Sequence, residues 1–248
     1  MKKSVYIILI IILTVSCAPH RWVMTGYKTS KIAIDATTDS LADKKMLAYI
    51  LPIKQNLDKE MDQIVGVSKE EMKPGKPESL LSNWNSDVYR MSASEFLKEP
   101  VDMAVVNMGS LRSPLPAGNL TVRNIFQLMP FENELVILWL KGSEVIKMME
   151  IFAKEAGQGI SGIRMEIINE KPENILIGGQ PVDPEKIYSI ATNDFLAGGN
   201  DRMIPLATPV KRVDTGLKIR NILMEYVIRE NRNGRRIGSK LDGRITIR

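Results

Sequence analysis

The chain has 248 residues, enough for one large domain or two small ones with a proper core. Hydrophobic residues make up 44% and charged residues 25%, ordinary values for a folded globular protein that exclude a disordered chain. The formal charge is +5, and setting aside Lys2 and Lys3 of the leader leaves about +3, too mild and too dispersed to indicate a nucleic-acid partner.

The first residues read as a targeting signal. Lys2 and Lys3 form a basic start, and Val5 to Val15 is almost entirely apolar. That run is shorter than the roughly 20 residues of a membrane span. It ends in Leu13-Thr14-Val15-Ser16-Cys17, which resembles the lipobox of bacterial lipoproteins. The resemblance implies a signal peptide over 1–16 and a lipid on Cys17 as the mature N-terminus. It further implies an anchored, periplasm-facing protein of the bacterial cell envelope. A plain secretory peptide or an uncleaved anchor is the alternative. Cys17 is the only cysteine, so no internal disulfide is available.

Residues 17–30 read as a polar tether, and the domain is expected over 31–248. Lys31 to Ile34 suits a first short strand. Asp39 to Leu57 carries Leu41, Met46, Leu47, Ile50 and Leu51 at the spacing of an amphipathic helix, interrupted at Pro52. Met61 to Val67 suits a strand, and Lys73-Pro74-Gly75-Lys76-Pro77 a loop. Ser79 to Leu97 is predicted helical, with Leu80, Leu81, Trp84, Val88, Met91 and Phe96 on or near one face.

Val101 to Val106 is predicted as a buried strand running into a loop at Asn107. A helix over Thr121 to Leu128 is expected, with Thr121 its N-cap. The unbroken apolar run Leu135 to Leu140 suits a central strand, followed by a helix from Gly142 to about Ala156 capped by Ser143. Strands are predicted at Ile163–Ile168, Ile175–Ile177 and Ile187–Ala191. A last helix is expected over Lys218 to Arg229, with Ile245 to Ile247 closing a sheet. The late arginines Arg229, Arg232, Arg235 and Arg236 read as a solvated helix end. The alternation of elements indicates a mixed α and β (α+β) domain.

Three loops carry most of the functional information. They are Asn107-Met108-Gly109-Ser110-Leu111-Arg112, Pro130-Phe131-Glu132-Asn133, and Asn193-Asp194-Phe195-Leu196-Ala197-Gly198-Gly199-Asn200-Asp201. Arg112 lies nineteen residues before Phe131, Asn133 follows Phe131 by two, and Phe195 precedes Asp201 by six. Phe131 and Phe195 sit beside Pro130, Gly198 and Gly199 rather than inside apolar runs. Core packing for the two phenylalanines, a surface ion pair for Arg112 and plain turn chemistry for the Asn, Asp and Gly residues remain alternatives.

This joint spacing, with Gly118 and the Leu140-Lys141-Gly142-Ser143-Glu144 turn, resembles the C-terminal domain of the 5'-nucleotidase family from about Met61 to the end. The resemblance implies that domain's layered α/β/β/α fold. It also implies that Phe131 and Phe195 stack on a base, Asn133 meets the base edge, Asp201 accepts from ribose hydroxyls and Arg112 reaches a phosphate. Asn107, Gly109, Asn193, Gly198 and Gly199 would support the loops, the paired glycines by allowing close backbone approach. Two stretches depart from the family. Arginines common before the helix near Ser79 are replaced by Lys73 and Lys76, and the ribose loop has Asn200, Arg202 and Met203 where a glycine and an aromatic are usual.

The family's phosphate-cleaving half holds two metal ions with several histidines, whereas His20 is the only histidine here. No catalytic residue and no metal or cofactor is therefore expected in this chain. The expectation is a nucleotide- or nucleoside-recognition subunit of a split 5'-nucleotidase, with a metallophosphoesterase partner supplying two divalent metals. A binding lipoprotein without catalysis is the alternative, and a structural lipoprotein that kept only the fold a third.

Overall fold

The computed structural model describes residues 22–35, 37–38 and 42–248. Lys2, Lys3 and Cys17 of the expected signal segment, the single histidine His20, and Asp39, Ser40 and Leu41 of the first expected helix lie outside the described residues. The chain divides into two compact units, Met1–Ile50 and Leu51–Arg248. Lys31–Ile34, expected as a strand, forms none, and Ile32 and Ile34 are exposed. Strand-forming side chains do not make a strand without a neighbouring edge and a surface to cover.

Helix α1 (Lys44–Met61) begins where Asp43 Oδ1 accepts from the amides of Lys45 and Met46 at 2.8 and 2.9 Å. It passes through Pro52 and outlasts the expected end at Leu57, so strand β1 (Ile64–Ser68) starts later than expected. No residue of α1 is buried, and Met46, Tyr49, Ile53 and Leu57 are exposed. Near its end Arg123 donates through Nη2 to Asp58 and through Nε to Asp62, at 2.7 and 2.8 Å.

The other elements follow in chain order. They are α2 (Leu80–Leu97), β2 (Met103–Val106), β3 (Gly118–Thr121), α3 (Val122–Leu128), β4 (Glu134–Lys141), α4 (Gly142–Lys154), β5 (Gly159–Ser161), β6 (Ile163–Ile168), β7 (Lys171–Ile177) and β8 (Gln180–Pro181). Then come β9 (Ile187–Asn193), α5 (Asp194–Ala197), α6 (Ile204–Ala207), β10 (Lys211–Lys218), α7 (Ile219–Arg232) and β11 (Ile245–Ile247). Helices α2 and α3 open on capping boxes, Ser79 with Ser82 and Thr121 with Asn124. Helix α4 has no such cap. Gly142 already belongs to the helix and Ser143 lies inside it, so the expected Ser143 cap is not made. At four places (β3–α3, β4–α4, β9–α5, β10–α7) a strand passes into a helix with no residue between them.

The central sheet has the order β10-β4-β9-β2-β5, with β2 and β9 parallel and the other pairs antiparallel. Its two faces separate two apolar clusters. Leu135, Ile137, Ala104 and Val106 join α2 and α7 on one side. Val136, Leu138, Met103 and Val105 join Met148, Met149 and Phe152 of α4 on the other. Alternate residues of a strand point to opposite faces, so an unbroken apolar run such as Leu135–Leu140 fills both.

A second sheet, β11-β6-β7-β8, contributes Ile163, Met165, Ile167, Ile177 and Ile245 to the α4 cluster. A two-stranded ribbon of β1 and β3 completes the strands. This is the mixed α and β architecture in stacked layers expected from the sequence, with α4 packed on both β4 and β7.

Candidate functional site

Three strand ends meet at one edge of the central sheet. Strands β2 and β9 run parallel, so Asn107 and Asn193 emerge on the same side, and Leu135 of the antiparallel β4 pairs with Asn193. The loop holding Phe131 and Asn133 therefore reaches the same edge although it comes from a distant part of the chain. Asn107, Gly109, Ser110, Arg112, Phe131, Asn133, Asn193, Phe195 and Asp201 together line one cleft of about 380 Å³. Loops placed by a rigid sheet are a usual way to build a ligand site.

The two phenylalanines are each 40% exposed and belong to neither apolar cluster. Core packing therefore does not explain them. They do not pack on each other, since the only ring pair among the described residues is Trp84 with Tyr226. The Arg112 guanidinium lies 5.8 Å from the Phe131 ring centre, and its Nη1 is 3.4 Å from the Gly109 carbonyl, a weak hydrogen bond. No carboxylate among the described residues pairs with Arg112, so the ion-pair alternative is not realised. Its backbone amide donates to Leu128 O at 2.9 Å, which fixes where the side chain starts.

A chain of amides and carboxylates forms the floor. Asn193 Oδ1 accepts from the Leu196 amide at 2.7 Å as the N-cap of α5. Its Nδ2 donates to Asn107 Oδ1 at 3.1 Å, and Asn107 Nδ2 donates to Asp201 Oδ2 at 2.9 Å. Asn133 Nδ2 donates to Asp194 Oδ1 at 2.8 Å, and the same oxygen accepts from the Phe195 amide at 2.9 Å. The Asn133 carbonyl accepts from the Ile219 amide at 2.9 Å, tying this loop to α7. Behind the floor, burial pushes the Tyr89 hydroxyl pKa up, opposed by the nearby Asn193 side chain. That hydroxyl has no hydrogen-bond partner within bonding geometry among the described residues.

The structure thus brings Arg112, Phe131, Asn133, Phe195 and Asp201 together, with Asn107, Gly109 and Asn193 beneath them. Gly198 and Gly199 do not line the cleft. Gly199 has φ +82, and a Cβ there would meet Ala207 Cβ at 3.2 Å, so it serves a left-handed turn packed on α6. Sequence reasoning gave no role to three supports, of which only Gln158 lies outside the three loops. Asp194 holds Asn133, Gln158 Oε1 accepts from the Met108 amide at 2.7 Å, and Ser110 donates to Asn107 O at 2.7 Å. A larger groove of about 660 Å³ between α2 and α7, with Phe96, Leu217 and Tyr226 in its walls, contains none of the motif residues. The late arginines behave as a solvated end in part, with Arg229 paired to Glu95 and Arg235 to Glu230.

Comparison with known proteins follows the same residues. Residues 64–208 match the family described as 5'-nucleotidase, C-terminal domain. Protein UshA of Yersinia enterocolitica is 27% identical over 196 residues, which is 77% of this chain and 36% of that protein. The 5'-nucleotidase of Vibrio cholerae is 23% identical over 198 residues, 77% of this chain and 35% of that protein.

A solved 5'-nucleotidase precursor from Thermus thermophilus superposes with a TM-score of 0.71 at 26% identity, covering 84% of this chain and 43% of that one. The sulfate thiohydrolase SoxB of Thermus thermophilus superposes at 0.56 with 17% identity, over 82% of this chain and 37% of that one. That last likeness shows the fold alone, so the fold by itself does not choose a substrate. The chain spans about a third of the length of these curated relatives.

Proposed function

Because the chain belongs to the 5'-nucleotidase, C-terminal domain family, we propose that it is the nucleotide-recognition subunit of a split 5'-nucleotidase. The observation that carries this reading is one cleft holding two half-exposed, mutually unstacked phenylalanines beside an arginine free of carboxylates. A base sandwiched between Phe131 and Phe195 gains about 1–3 kcal/mol per stacked ring. In this reading Asn133, oriented by Asp194, reads the base edge. Asp201, oriented by Asn107, accepts from ribose hydroxyls, and Arg112 pairs with the phosphate.

Hydrolysis of a phosphoric monoester by this family's chemistry needs two divalent metals and a water nucleophile. Among the described residues no group of three or more His, Cys, Asp and Glu is arranged to hold a metal ion. The reading therefore assigns the metals to a metallophosphoesterase partner chain, and no reaction step to the residues of this one. It keeps the lipid on Cys17 as the attachment to the bacterial envelope, and Cys17→Ala should release the protein from membranes. Among the described residues no helix is long and apolar enough to cross a membrane.

The test is calorimetric titration with adenosine and AMP, followed by a phosphate-release assay with Mn²⁺. Saturable binding of both ligands with no phosphate release is expected. Absence of binding overturns the recognition role. Metal-dependent release of phosphate from AMP by the pure chain overturns the division of labour.

A further inference from the structure

Beside the nucleotide cleft lies a second one of about 460 Å³, and the two share Gly109 and Asp201 in their walls. Lys76, Met108, Glu155, Gln158 and Arg202 complete the second cleft. Gly109 forms a low divide, since a Cβ built there would have only Asn107 Nδ2 within 4 Å, at 3.9 Å. A ligand seated in the first cleft can therefore extend into the second without crossing a side chain at that point.

The charges of this cleft are unevenly spoken for. Lys76 Nζ donates to the Glu155 carbonyl at 2.6 Å and lies 3.9 Å from its carboxylate. Asp201 is held by Asn107. Gln158 is engaged by the Met108 amide. Arg202 is exposed, with no hydrogen bond, ion pair or ring contact to any described residue.

The backbone reinforces the distinction. Asp201 and Arg202 have φ of 51 and 64, both left-handed. Asp tolerates that region through its short polar side chain, whereas Arg has no such local compensation and glycine would occupy it freely. The chain thus carries a long cation at a position whose conformation favours glycine, and aims it into a cleft that continues the nucleotide site. Strain held at one residue beside a site is a reason to ask what its side chain does there.

We infer that the second cleft is an anion subsite in which Arg202, assisted by Lys76, binds a second phosphoryl group of the nucleotide. That group is carried either on the 5'-phosphate or on the ribose. This rests on the nucleotide reading of the first cleft. The carboxylates of Glu155 and Asp201 oppose an anion, so the gain is that of one charge-assisted contact, about tenfold in affinity.

The test titrates the full chain with adenosine, AMP, ADP and adenosine 3',5'-bisphosphate at fixed ionic strength. ADP or the bisphosphate should bind about tenfold more tightly than AMP, and whichever does so identifies the source of the second phosphoryl group. In R202G and R202Q that ratio should fall to about one, with K76Q intermediate. R202G relieves the left-handed strain and should melt no lower than the parent chain, which separates lost recognition from lost folding. Equal binding of AMP, ADP and the bisphosphate, with adenosine still bound, overturns the subsite and leaves the nucleotide reading standing. A preference that survives both Arg202 variants overturns it as well. Failure of adenosine and AMP to bind at all overturns the nucleotide reading and the subsite together.

Discussion

Asn107 donates to the Asp201 carboxylate at 2.9 Å, joining residues 94 positions apart in the chain. The same side chain accepts from Asn193 at 3.1 Å, so one buried amide sets the position of two loops. Asn107→Ala should loosen Asp201 and leave the buried Asn193 amide unpaired. The expected outcome is a loss of stability of about 1–3 kcal/mol together with weaker adenosine binding. Thermal melts and titrations of the variant check it, and an unchanged adenosine affinity would show that Asp201 needs no such tether.

Phe131→Ala and Phe195→Ala should each weaken purine binding by about 1–3 kcal/mol, on the order of 5- to 150-fold in dissociation constant. Both rings stand outside the apolar clusters, so the melting temperature should hold. A core phenylalanine would instead cost about 3–5 kcal/mol of stability. Loss of folding at unchanged affinity would return these residues to the core.

Arg112→Ala should weaken AMP far more than adenosine, since only AMP offers phosphate oxygens to a guanidinium. Titration of the two ligands against the variant gives the answer directly. Equal losses for both would mean that Arg112 acts through its contact with Phe131 instead.

Tyr89→Phe removes a buried hydroxyl that has no partner among the described residues. Stability should rise by about 1 kcal/mol, or about 2–4 °C in melting temperature. A fall of similar size would reveal a hydrogen bond from that hydroxyl to Asn193, and with it a direct link from α2 to the cleft floor.

Asp58 has a lowered pKa because Lys54 and then Arg123 hydrogen-bond its carboxylate. A depressed carboxylate contributes stability above its unfolded value and loses it as the pH falls through the folded one. Acidification through and below the ordinary carboxylate range should therefore release α1 from Arg123, as Arg123→Ala should at neutral pH. Hydrogen exchange of the α1 amides is the measurement. Protection that is indifferent to both acid and the substitution would mean that other contacts hold the helix.

Much of this architecture was legible because burial leaves a pattern. Leu135–Leu140 had to fill both faces of a central strand, and Thr121 announced its helix as an N-cap, whereas Ser143 did not. Strand β10 was missed because Lys-Arg-Val-Asp-Thr-Gly-Leu-Lys is a polar edge strand, paired only to β4 and with no fully buried residue. Lys31–Ile34 misled in the opposite way, having strand composition without a partner.

The residues that line the cleft were readable from the three loops. The parts of Asp194 and Arg202 were not, although both adjoin the third loop, and Gln158 was not marked at all, because the partner or cleft each meets exists only after folding.

The direct passage of β9 into α5 bears on how the cleft can adapt. Phe195 is the second residue of α5, with no linker between it and the sheet. Its backbone follows directly from a strand paired with β4 on one side and β2 on the other. Phe131 has a hinge available in the irregular stretch between α3 and β4. If the two rings clamp a base as proposed, accommodation of bases of different width falls to the Phe131 side.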